Sequence, residues 1–336
     1  MSVKKFLDVC LSEGIFDDAK KIVVAVSGGA DSLALADLLT RVRRRFNLEI
    51  CIAHYEHGLR GEDSINDSEF VRGFAANLGV KFFVEHGKVR EFAESKKISL
   101  ETAARVLRYE FLNKVRCEEN FDAIALAHHA DDQAETILMR LIRGTGSAGL
   151  SAMKFRTYSK DYGLLIRPLL RFKKNELENY CGERGLFPRI DTTNFEMTMT
   201  RNRIRLEILP MLEKMNPAIT DSLCRLGESA AEDFDFINSE VEKVFPKVVR
   251  NNELYREEFL KLHTALQRMV LRKFIESSVG SVKDFGFLHF EELRKVLLNN
   301  LSGVELPHKY RAELRRGKLV IGSNHRLNDD AIHQEF

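Results

Sequence analysis

A short polar turn between two regular segments is the first stretch of this sequence that could do chemistry. Residues 27–32 read Ser-Gly-Gly-Ala-Asp-Ser, directly after the apolar run 21–26 and directly before a helical pattern. Gly28 and Gly29 let the backbone turn sharply and approach an anion, and the next helix offers unpaired N–H groups and a positive dipole end. The turn predicts a phosphate site, although Asp and Ser also favour helix N-termini for backbone reasons alone.

The same turn lacks the lysine of a GxxxxGK[ST] loop, whose side chain reaches the β- and γ-phosphates of a nucleotide. Asp31 is unusual beside phosphate because its charge repels an anion, but it suits a bound Mg²⁺ ion or a helix cap. A turn that holds the β- and γ-phosphates as a leaving group permits attack at the α-phosphate. The predicted products are pyrophosphate and an adenylated substrate.

A second cluster, His-His-Ala-Asp-Asp-Gln-Ala-Glu-Thr at 128–136, places three carboxylates on one helical turn. Asp132 and Glu135 are three positions apart and Asp131 and Glu135 four, so both pairs share a helix face. Like charges repel there, so a cation partner is expected. The alternatives are a solvated acidic first turn that favours the helix dipole and core or capping roles for the two histidines. No third ligand stands at a spacing suited to zinc.

Two further side chains are candidates for binding. Arg108 borders the apolar stripe of a helix predicted at 100–117, where its guanidinium could clamp a carboxylate or phosphate bidentately. Arg105 lies further round that helix and is placed to pair with Glu101 at i,i+4. His54 follows the second apolar run, where a nucleotide base or ribose would lie, or it packs as a capping residue.

The elements that must position these residues follow a repeating pattern. Apolar runs of strand length lie at 21–26, 48–54, 80–86 and 121–129, and helical patterns at 31–45, 65–78, 100–117 and 131–143. Buried strands that alternate with helices predict an α/β fold, a parallel sheet with helices on both faces. Ligands of such sheets bind beyond the carboxyl ends of the strands, and the polar motifs fall there.

The pattern changes near residue 213, which predicts two domains. Residues 1–213 are the predicted catalytic domain, and 214–325 a smaller, mainly helical domain that ends in a short hairpin around Arg316-Gly317. Its helical stretches lie at 219–245, 256–278 and 288–299. Residues 326–336 are predicted to be a frayed tail.

Composition narrows the function classes for this chain of 336 residues. The net charge is only +2, so nucleic-acid binding would depend on local patches. Five cysteines are scattered and never in CxxC, which argues against a disulfide framework and a clustered zinc or iron–sulfur site. No apolar run approaches the ~20 residues of a membrane span, and the N-terminus lacks a signal-peptide core. The prediction is a cytoplasmic protein that does not contact a membrane.

Basic side chains gather in three places, 167–174, 201–205 and 308–318. Each cluster alone could be a solvated face. Together, in a nearly neutral protein, they suggest a segregated positive surface for phosphate-backbone contact, which sets affinity but not sequence preference. The alternating arginines of 201–205 fit a strand edge or the start of a helix, and we favour RNA contact together with a domain hinge.

The turn at 27–32 resembles the signature of the PP-loop ATP pyrophosphatase superfamily and, within it, that of the tRNA(Ile)-lysidine synthase family. Further segments match that family in order, at 53–71, 101–112, 127–146, 167–170, 191–194 and 201–210. They cover most of 22–210, whereas the C-terminal part matches only in position and general character. There is one minor departure from the family pattern: Thr193 stands where the family often has Ser.

The resemblance implies an ATP-dependent ligase that joins free L-lysine to C2 of the wobble cytidine of the isoleucine tRNA with a CAU anticodon. An adenylated tRNA is the implied intermediate, AMP and pyrophosphate leave, and Mg²⁺ accompanies ATP. A homodimer is the default expectation. The implied ATP ligands are Ser27, Gly28, Gly29, Ala30, Asp31, Ser32 and His54, with Asp31 also at the metal. The implied catalytic residues are Asp31, Arg108, Asp132 and Glu135, of which the last three also bind lysine. The predicted tRNA contacts are Arg201, Arg203, Arg205, Arg311, Arg315 and Arg316.

Three rival functions remain at this stage. A tRNA 2-thiolase of the same superfamily would typically carry CxxC pairs, which this chain lacks. A small-molecule amide synthetase would not need the basic hairpin near Arg316. A non-catalytic nucleotide-binding regulator is disfavoured by Asp31 and by the intact acidic turn.

Overall fold

The computed structural model divides the chain into two compact units. The described residues are 1–58, 62–189, 199–282 and 284–323. The first unit comprises Met1–Thr145 and Gly149–Glu228, and the second Gly146–Ala148 and Ser229–Phe336. The sequence-based boundary after residue 213 stays a prediction. The predicted tail at 326–336 and the matching segment 191–194 lie outside the described residues.

The first unit is built on a six-stranded sheet. Its strands are β1 (Lys21–Ala25), β2 (Glu49–Glu56), β3 (Lys81–His86), β4 (Ala123–Ala125), β5 (Arg156–Ser159) and β6 (Gly163–Ile166). They lie in the order β3-β2-β1-β4-β6-β5, and every neighbouring pair is parallel except β5 and β6 at the edge. The predicted parallel sheet is confirmed, whereas the antiparallel pair β5–β6 was not anticipated.

Ten helices are described in this part of the chain. They are α1 (Val3–Ser12), α2 (Ala30–Phe46), α3 (Glu62–Leu78), α4 (Val89–Lys96), α5 (Leu100–Glu118), α6 (Ala130–Ile142), α7 (Ser147–Leu150), α8 (Lys174–Glu183), α9 (Met199–Arg203) and α10 (Leu209–Met215). Helices α2, α3, α5 and α6 agree with the sequence-based helices to within a few residues, while α1, α4, α7, α8 and α10 were not predicted.

Helices cover both faces of the sheet, as predicted, because successive residues of a buried strand point to opposite sides. Ile22 and Val24 of β1 pack in one core with side chains of α1, α2 and α8. Val23, between them, packs in a second core with side chains of α4 and α5. All three are fully buried. A continuous apolar run is therefore the sequence pattern that this strand requires.

The second unit combines helices with a small antiparallel sheet. Helix α11 (Ile219–Val248) leads into it, and α12 (Arg256–Leu260), α13 (Thr264–Val279) and α14 (Phe287–Asn299) follow. The sheet holds β7 (Val249–Arg250), β8 (Glu253–Tyr255), β9 (Gly303–Leu306), β10 (Tyr310–Arg315) and β11 (Lys318–Ser323), in the order β7-β8-β11-β10-β9. The predicted hairpin is confirmed as β10–β11. Its two turn residues, Arg316 and Gly317, have φ of 47° and 75°, the left-handed pair that such a turn needs.

Two details of the second unit differ from the sequence reading. The helix predicted at 256–278 is split into α12 and α13, and β7, β8 and β9 extend the expected hairpin into a sheet. Within the described residues, no helix combines the length and the apolar character needed to cross a membrane.

Candidate active site

The glycine turn joins β1 to α2 at the carboxyl edge of the sheet. Gly29 is the N-cap of α2, and Gly28 has a φ of 94°. The Ser32 hydroxyl donates to the Gly29 carbonyl over 2.9 Å and accepts from the Ser27 N–H over 3.2 Å. The two serine hydroxyls lie 3.3 Å apart. The serines therefore fix the shape of the turn itself, in addition to facing any ligand.

Of the two glycines, only Gly28 adopts a backbone conformation that other residues avoid. Gly29 has an extended φ of −77°, which other residues also adopt, so the sharp turn depends on Gly28. The close approach of an anion to Gly29 stays a prediction. An added Cβ at Gly28 would meet Val71 and Phe70 only at ordinary contact distances, 3.6 and 3.8 Å. Substitution there strains the backbone and does not create a clash.

We expect Gly28→Ala to raise the ATP dissociation constant roughly tenfold or more, since a non-glycine residue in this region costs about 1–3 kcal/mol and displaces the turn. Isothermal titration calorimetry would measure the ATP dissociation constant of the variant and of the parent protein. The control is Gly73→Ala in α3, where an added Cβ meets no atom within 4 Å. Equal ATP affinity in the two variants would contradict a phosphate role for the turn.

A cavity of about 610 Å³ opens beside the turn, a size suited to a nucleotide. Its wall includes Ser27, Gly29, Ala30, Asp31 and Ser32 from the turn. Other wall residues come from several elements and include Tyr55, His57, Arg108, His128, Lys174, Glu178, Arg189, Asn202 and Arg205. Four of these are cations and two are carboxylates when Asp31 is counted, so the wall favours an anionic ligand.

Asp31 fits a metal site. Its Oδ1 atom is buried and has no hydrogen-bond partner, while Oδ2 lies 3.6 Å from Nε2 of His129. A carboxylate oxygen without a partner at the edge of a phosphate site suits Mg²⁺, which proteins usually hold through one or two carboxylates together with substrate phosphates. The described residues contain no cluster of three or more histidine, cysteine or acidic side chains that could hold a metal by themselves.

His129 links the turn to the acidic cluster. Its ring is almost fully buried, with Nδ1 3.4 Å from Asp131 and Nε2 3.5 Å from Asp132, in addition to the contact with Asp31. Burial alone would lower the pKa of His129, but these three carboxylates outweigh it and raise the pKa to about 10. The second of the two histidines is thus an internal cation between two motifs that are far apart in the sequence.

The cation partners expected for the acidic turn come from the chain itself. Glu135 is fully buried and accepts hydrogen bonds from Nε of Arg201 at 2.7 Å and Nε of Arg205 at 2.6 Å. Arg201 also donates to Asp132 over 3.0 Å. The arginines lie on α9 and on the π-helical turn Ile204–Ile208 that follows it. Of the alternatives for 201–205, the start of a helix is therefore correct.

Asp132 is better suited to balance charge than to take up protons. Burial would raise its pKa, but His129 and Arg201 outweigh burial and lower it. A carboxylate with a lowered pKa is a weak base at neutral pH. Asp132 also accepts a hydrogen bond from the His129 backbone N–H over 3.1 Å, which fixes it at the first turn of α6.

Arg108 and His128 both line the cavity. The Nε atom of Arg108 and Nδ1 of His128 are both buried without a hydrogen-bond partner. Burial and the guanidiniums of Arg167 and Arg108 lower the pKa of His128 to about 3, against the attraction of Asp132. His128 is therefore neutral at pH 7. Arg108 stacks against Tyr109, with 5.6 Å between its Cζ and the ring centroid, and is available to an anionic group.

The histidine predicted to contact the nucleotide lies behind the turn. His54 is buried and its Nδ1 donates to the Val26 carbonyl over 2.8 Å, and burial lowers its pKa. It is not among the cavity-lining residues, whereas Tyr55 and His57 from the same strand end are. The capping alternative describes this contact, and a direct role at ATP stays a prediction.

The arginines predicted to contact tRNA differ in their surroundings. Arg201 and Arg205 face Glu135, so they are not free surface charges. Arg203 is exposed and pairs with Glu207 at 3.3 Å. In the second unit, Arg311 and Arg315 both pair with Glu313, at 3.0 and 2.8 Å, while Arg316 is exposed in the β10–β11 turn. Their contact with tRNA stays a prediction.

The comparisons with known proteins agree with this fold. The family model for the PP-loop domain matches residues 2–212. A U34-tRNA thiolase from Methanococcus maripaludis has a similar fold, with a TM-score of 0.57 and 23% identity over 68% of this chain and 78% of that chain. The first unit is therefore a PP-loop domain.

Relatives in sequence define the family more narrowly. The tRNA(Ile)-lysidine synthase of Clostridioides difficile is 33% identical over 98% of this chain and 72% of its own length. That of Clostridium perfringens is 37% identical over 86% of this chain and 62% of its own length. The chain belongs to the tRNA(Ile)-lysidine synthase family. It spans less than two thirds of the length of the Clostridium perfringens relative.

Proposed function

We propose that the protein joins free L-lysine to C2 of the wobble cytidine of a CAU-anticodon isoleucine tRNA, using ATP. Lysidine, AMP and pyrophosphate are the products. The observation that carries the proposal is the contact of His129 with both Asp31 and Asp132. This contact joins the glycine turn and the acidic turn in one charged network, which supports a nucleotide and an amine binding side by side.

In the first step the glycine turn and the α2 N-terminus hold the β- and γ-phosphates of ATP. Mg²⁺ at Asp31 would neutralise part of the phosphate charge. The C2 carbonyl oxygen of cytidine attacks the α-phosphate, and pyrophosphate leaves from the turn. A positive cavity wall favours the departing diphosphate, because its negative charge grows as the bond breaks.

In the second step the amine of lysine attacks C2 of the adenylated ring and AMP leaves. The free amine has a pKa of about 10.4, so its deprotonation at pH 7 costs roughly 4–5 kcal/mol. Asp132 is the counter-ion that draws the ammonium in. Asp132 favours the ammonium form, whereas Arg108 and Arg205, both in the wall, oppose that effect and lower the amine pKa by like-charge repulsion. The proton passes to water before the neutral amine attacks. Arg108 also holds the lysine carboxylate, while Glu135 positions the two arginines of α9 and the π-helical turn.

The target base must leave its stack to reach the cavity, which costs least in a single-stranded loop. Exposed arginines such as Arg203 and Arg316 contribute phosphate contacts that position the tRNA without reading its sequence. The second unit grips the tRNA body in this proposal.

The cysteines argue against a thiolase activity. Cys117 is exposed and Cys224 partly so, but no cysteine is among the described residues that line the cavity. Cys10, Cys51 and Cys181 are buried, and burial raises the pKa of the Cys10 and Cys51 thiols to about 12 and that of the Cys181 thiol to about 11. Sulfur chemistry and cluster binding both need accessible thiolates. The described site offers carboxylates for an amine in place of thiols for sulfur.

The proposal is tested by incubating the protein with ATP, lysine and unmodified isoleucine tRNA, followed by mass spectrometry of the tRNA nucleosides. We expect one cytidine per tRNA to gain the mass of lysine minus water. Omission of lysine should abolish this mass gain. ATP binding without any change in the tRNA would support the regulator and reject the ligase.

A further inference from the structure

We propose that Lys174 binds the terminal phosphates of the nucleotide and supplies, from α8, the cation that the glycine turn lacks. The inference rests on the proposed ATP site and deepens it. The turn at 27–32 has no following lysine, yet the fold brings the first residue of α8 to the wall of the same cavity.

One face of α8 is turned towards the start of α2. Lys174 and Glu178 both line the cavity, and the thiol of Cys181 donates to the Ala30 carbonyl over 3.4 Å. These positions are spaced i, i+4 and i+7, so they share a helix face. Tyr180 adds a buried hydrogen bond to Asp37 of α2. Helix α8 is thereby fixed along α2, with Lys174 at the cavity.

The backbone of Lys174 is tied to the metal-binding carboxylate through two side chains. Its N–H donates to Oδ2 of Asp131 over 2.8 Å, the same oxygen lies 3.4 Å from Nδ1 of His129, and Nε2 of His129 lies 3.6 Å from Asp31. The position of Lys174 relative to the turn is therefore set. Because this link uses the backbone N–H, replacing the side chain leaves it intact.

The ammonium of Lys174 is available to a ligand. Its carboxylate neighbour is Glu178 at 3.9 Å, and both side chains are about half exposed, so the pair is weak. Arg205, another cation in the wall, is by contrast held by buried Glu135 at 2.6 Å. The diphosphate moves away from the α-phosphate when it leaves. A lysine side chain has a flexible stem, so its ammonium can stay in contact with the diphosphate during that movement.

The adjacent lysine provides a matched control. Lys173 carries the same charge, pairs with Asp221 at 2.8 Å and does not line the cavity. Lys173→Gln thus removes an equal charge one residue away. Lys174→Arg keeps the charge at the tested position.

The test is the dissociation constant of the full chain for ATP and for AMP, measured by isothermal titration with Mg²⁺ present. We expect Lys174→Gln to weaken ATP binding about 10- to 100-fold, the usual effect of losing a charge-assisted hydrogen bond. AMP lacks the terminal phosphates, so its affinity should change less than about twofold. Lys174→Arg and Lys173→Gln should bind ATP within about threefold of the parent.

Several outcomes would overturn the inference. Unchanged ATP affinity in Lys174→Gln would show that Lys174 does not contact ATP. Equal weakening of ATP and AMP binding would show that Lys174 contacts a part of the nucleotide other than the terminal phosphates. Thermal unfolding of each variant verifies that the fold persists, and Lys174→Met provides a second neutral side chain. A parent protein that binds ATP through Lys174 but forms no lysidine would reject the proposed function and leave this inference standing.

Discussion

Replacing Glu135 with glutamine is expected to lower the free energy of unfolding by about 3 kcal/mol. Glu135 is 1% exposed and accepts hydrogen bonds from Arg201 and Arg205. Removing one partner of a buried ion pair leaves the other charges uncompensated, which typically costs about 3–5 kcal/mol. The lower end applies because the two arginines keep roughly a quarter of their side-chain surface exposed and can be partly rehydrated. Urea-induced unfolding followed by circular dichroism measures the change.

Glu207→Gln is the matched control for that variant. Glu207 pairs with Arg203 one helical turn away, at 3.3 Å, and both side chains are more than 60% exposed. An exposed pair contributes about 0–1 kcal/mol, so this variant should unfold almost as the parent does. Equal losses of unfolding free energy from the two substitutions would show that the ion pairs of Glu135 with Arg201 and Arg205 stabilise the protein no more than an exposed pair does.

Replacing Asp132 with asparagine is expected to reduce kcat/KM for lysine by roughly 30- to 5,000-fold, because truncating one partner of a buried charge pair costs about 2–5 kcal/mol. Asp132 balances Arg201 at 3.0 Å and His129 at 3.5 Å. Neutralising it takes away the counter-ion for the lysine ammonium and leaves two local cations that repel it. Initial rates of lysine incorporation at varied lysine concentration give the constant.

Two controls separate the lysine step from general damage. Pyrophosphate exchange into ATP in the presence of tRNA reports the adenylation step alone, and it should fall far less than lysine incorporation. Asp221→Asn changes a half-exposed carboxylate that pairs with Lys173, so it should retain lysine incorporation within about threefold. If the Asp132→Asn protein keeps a near-parental kcat/KM for lysine, Asp132 is not the counter-ion of the lysine ammonium.

Local patterns in the sequence were sufficient for the framework of the first unit. The run before Ser27 predicted β1, because a strand buried on both faces is apolar at every position. The Gly-Gly turn placed the start of α2, and the Arg316-Gly317 pair placed the β10–β11 hairpin. These features depend on neighbours in the chain, so a single sequence contains the information that specifies them.

The partners within the site could not be predicted in the same way. Arg201 and Arg205 contact Glu135 across 66 and 70 residues of sequence, and no local spacing specifies a pairing over that distance. A signal was present, because the two arginines are spaced i,i+4 and so share a helix face. It was obscured by the alternation of arginine and other residues, which equally fits a strand edge. The sequence placed Lys174 only in the basic cluster at 167–174. Its position near the glycine turn depends on the packing of α8, which no local pattern specifies.

The central claim is that the turn after β1 holds a departing diphosphate, and the fate of the ATP phosphates tests it most directly. ATP labelled at the α-phosphate and, separately, at the γ-phosphate would be turned over with lysine and isoleucine tRNA, and the products separated. The account predicts that the α-label appears in AMP and the γ-label in pyrophosphate, in equal amounts to the lysine incorporated. Release of the γ-label as orthophosphate, with the α-label in ADP, would contradict it.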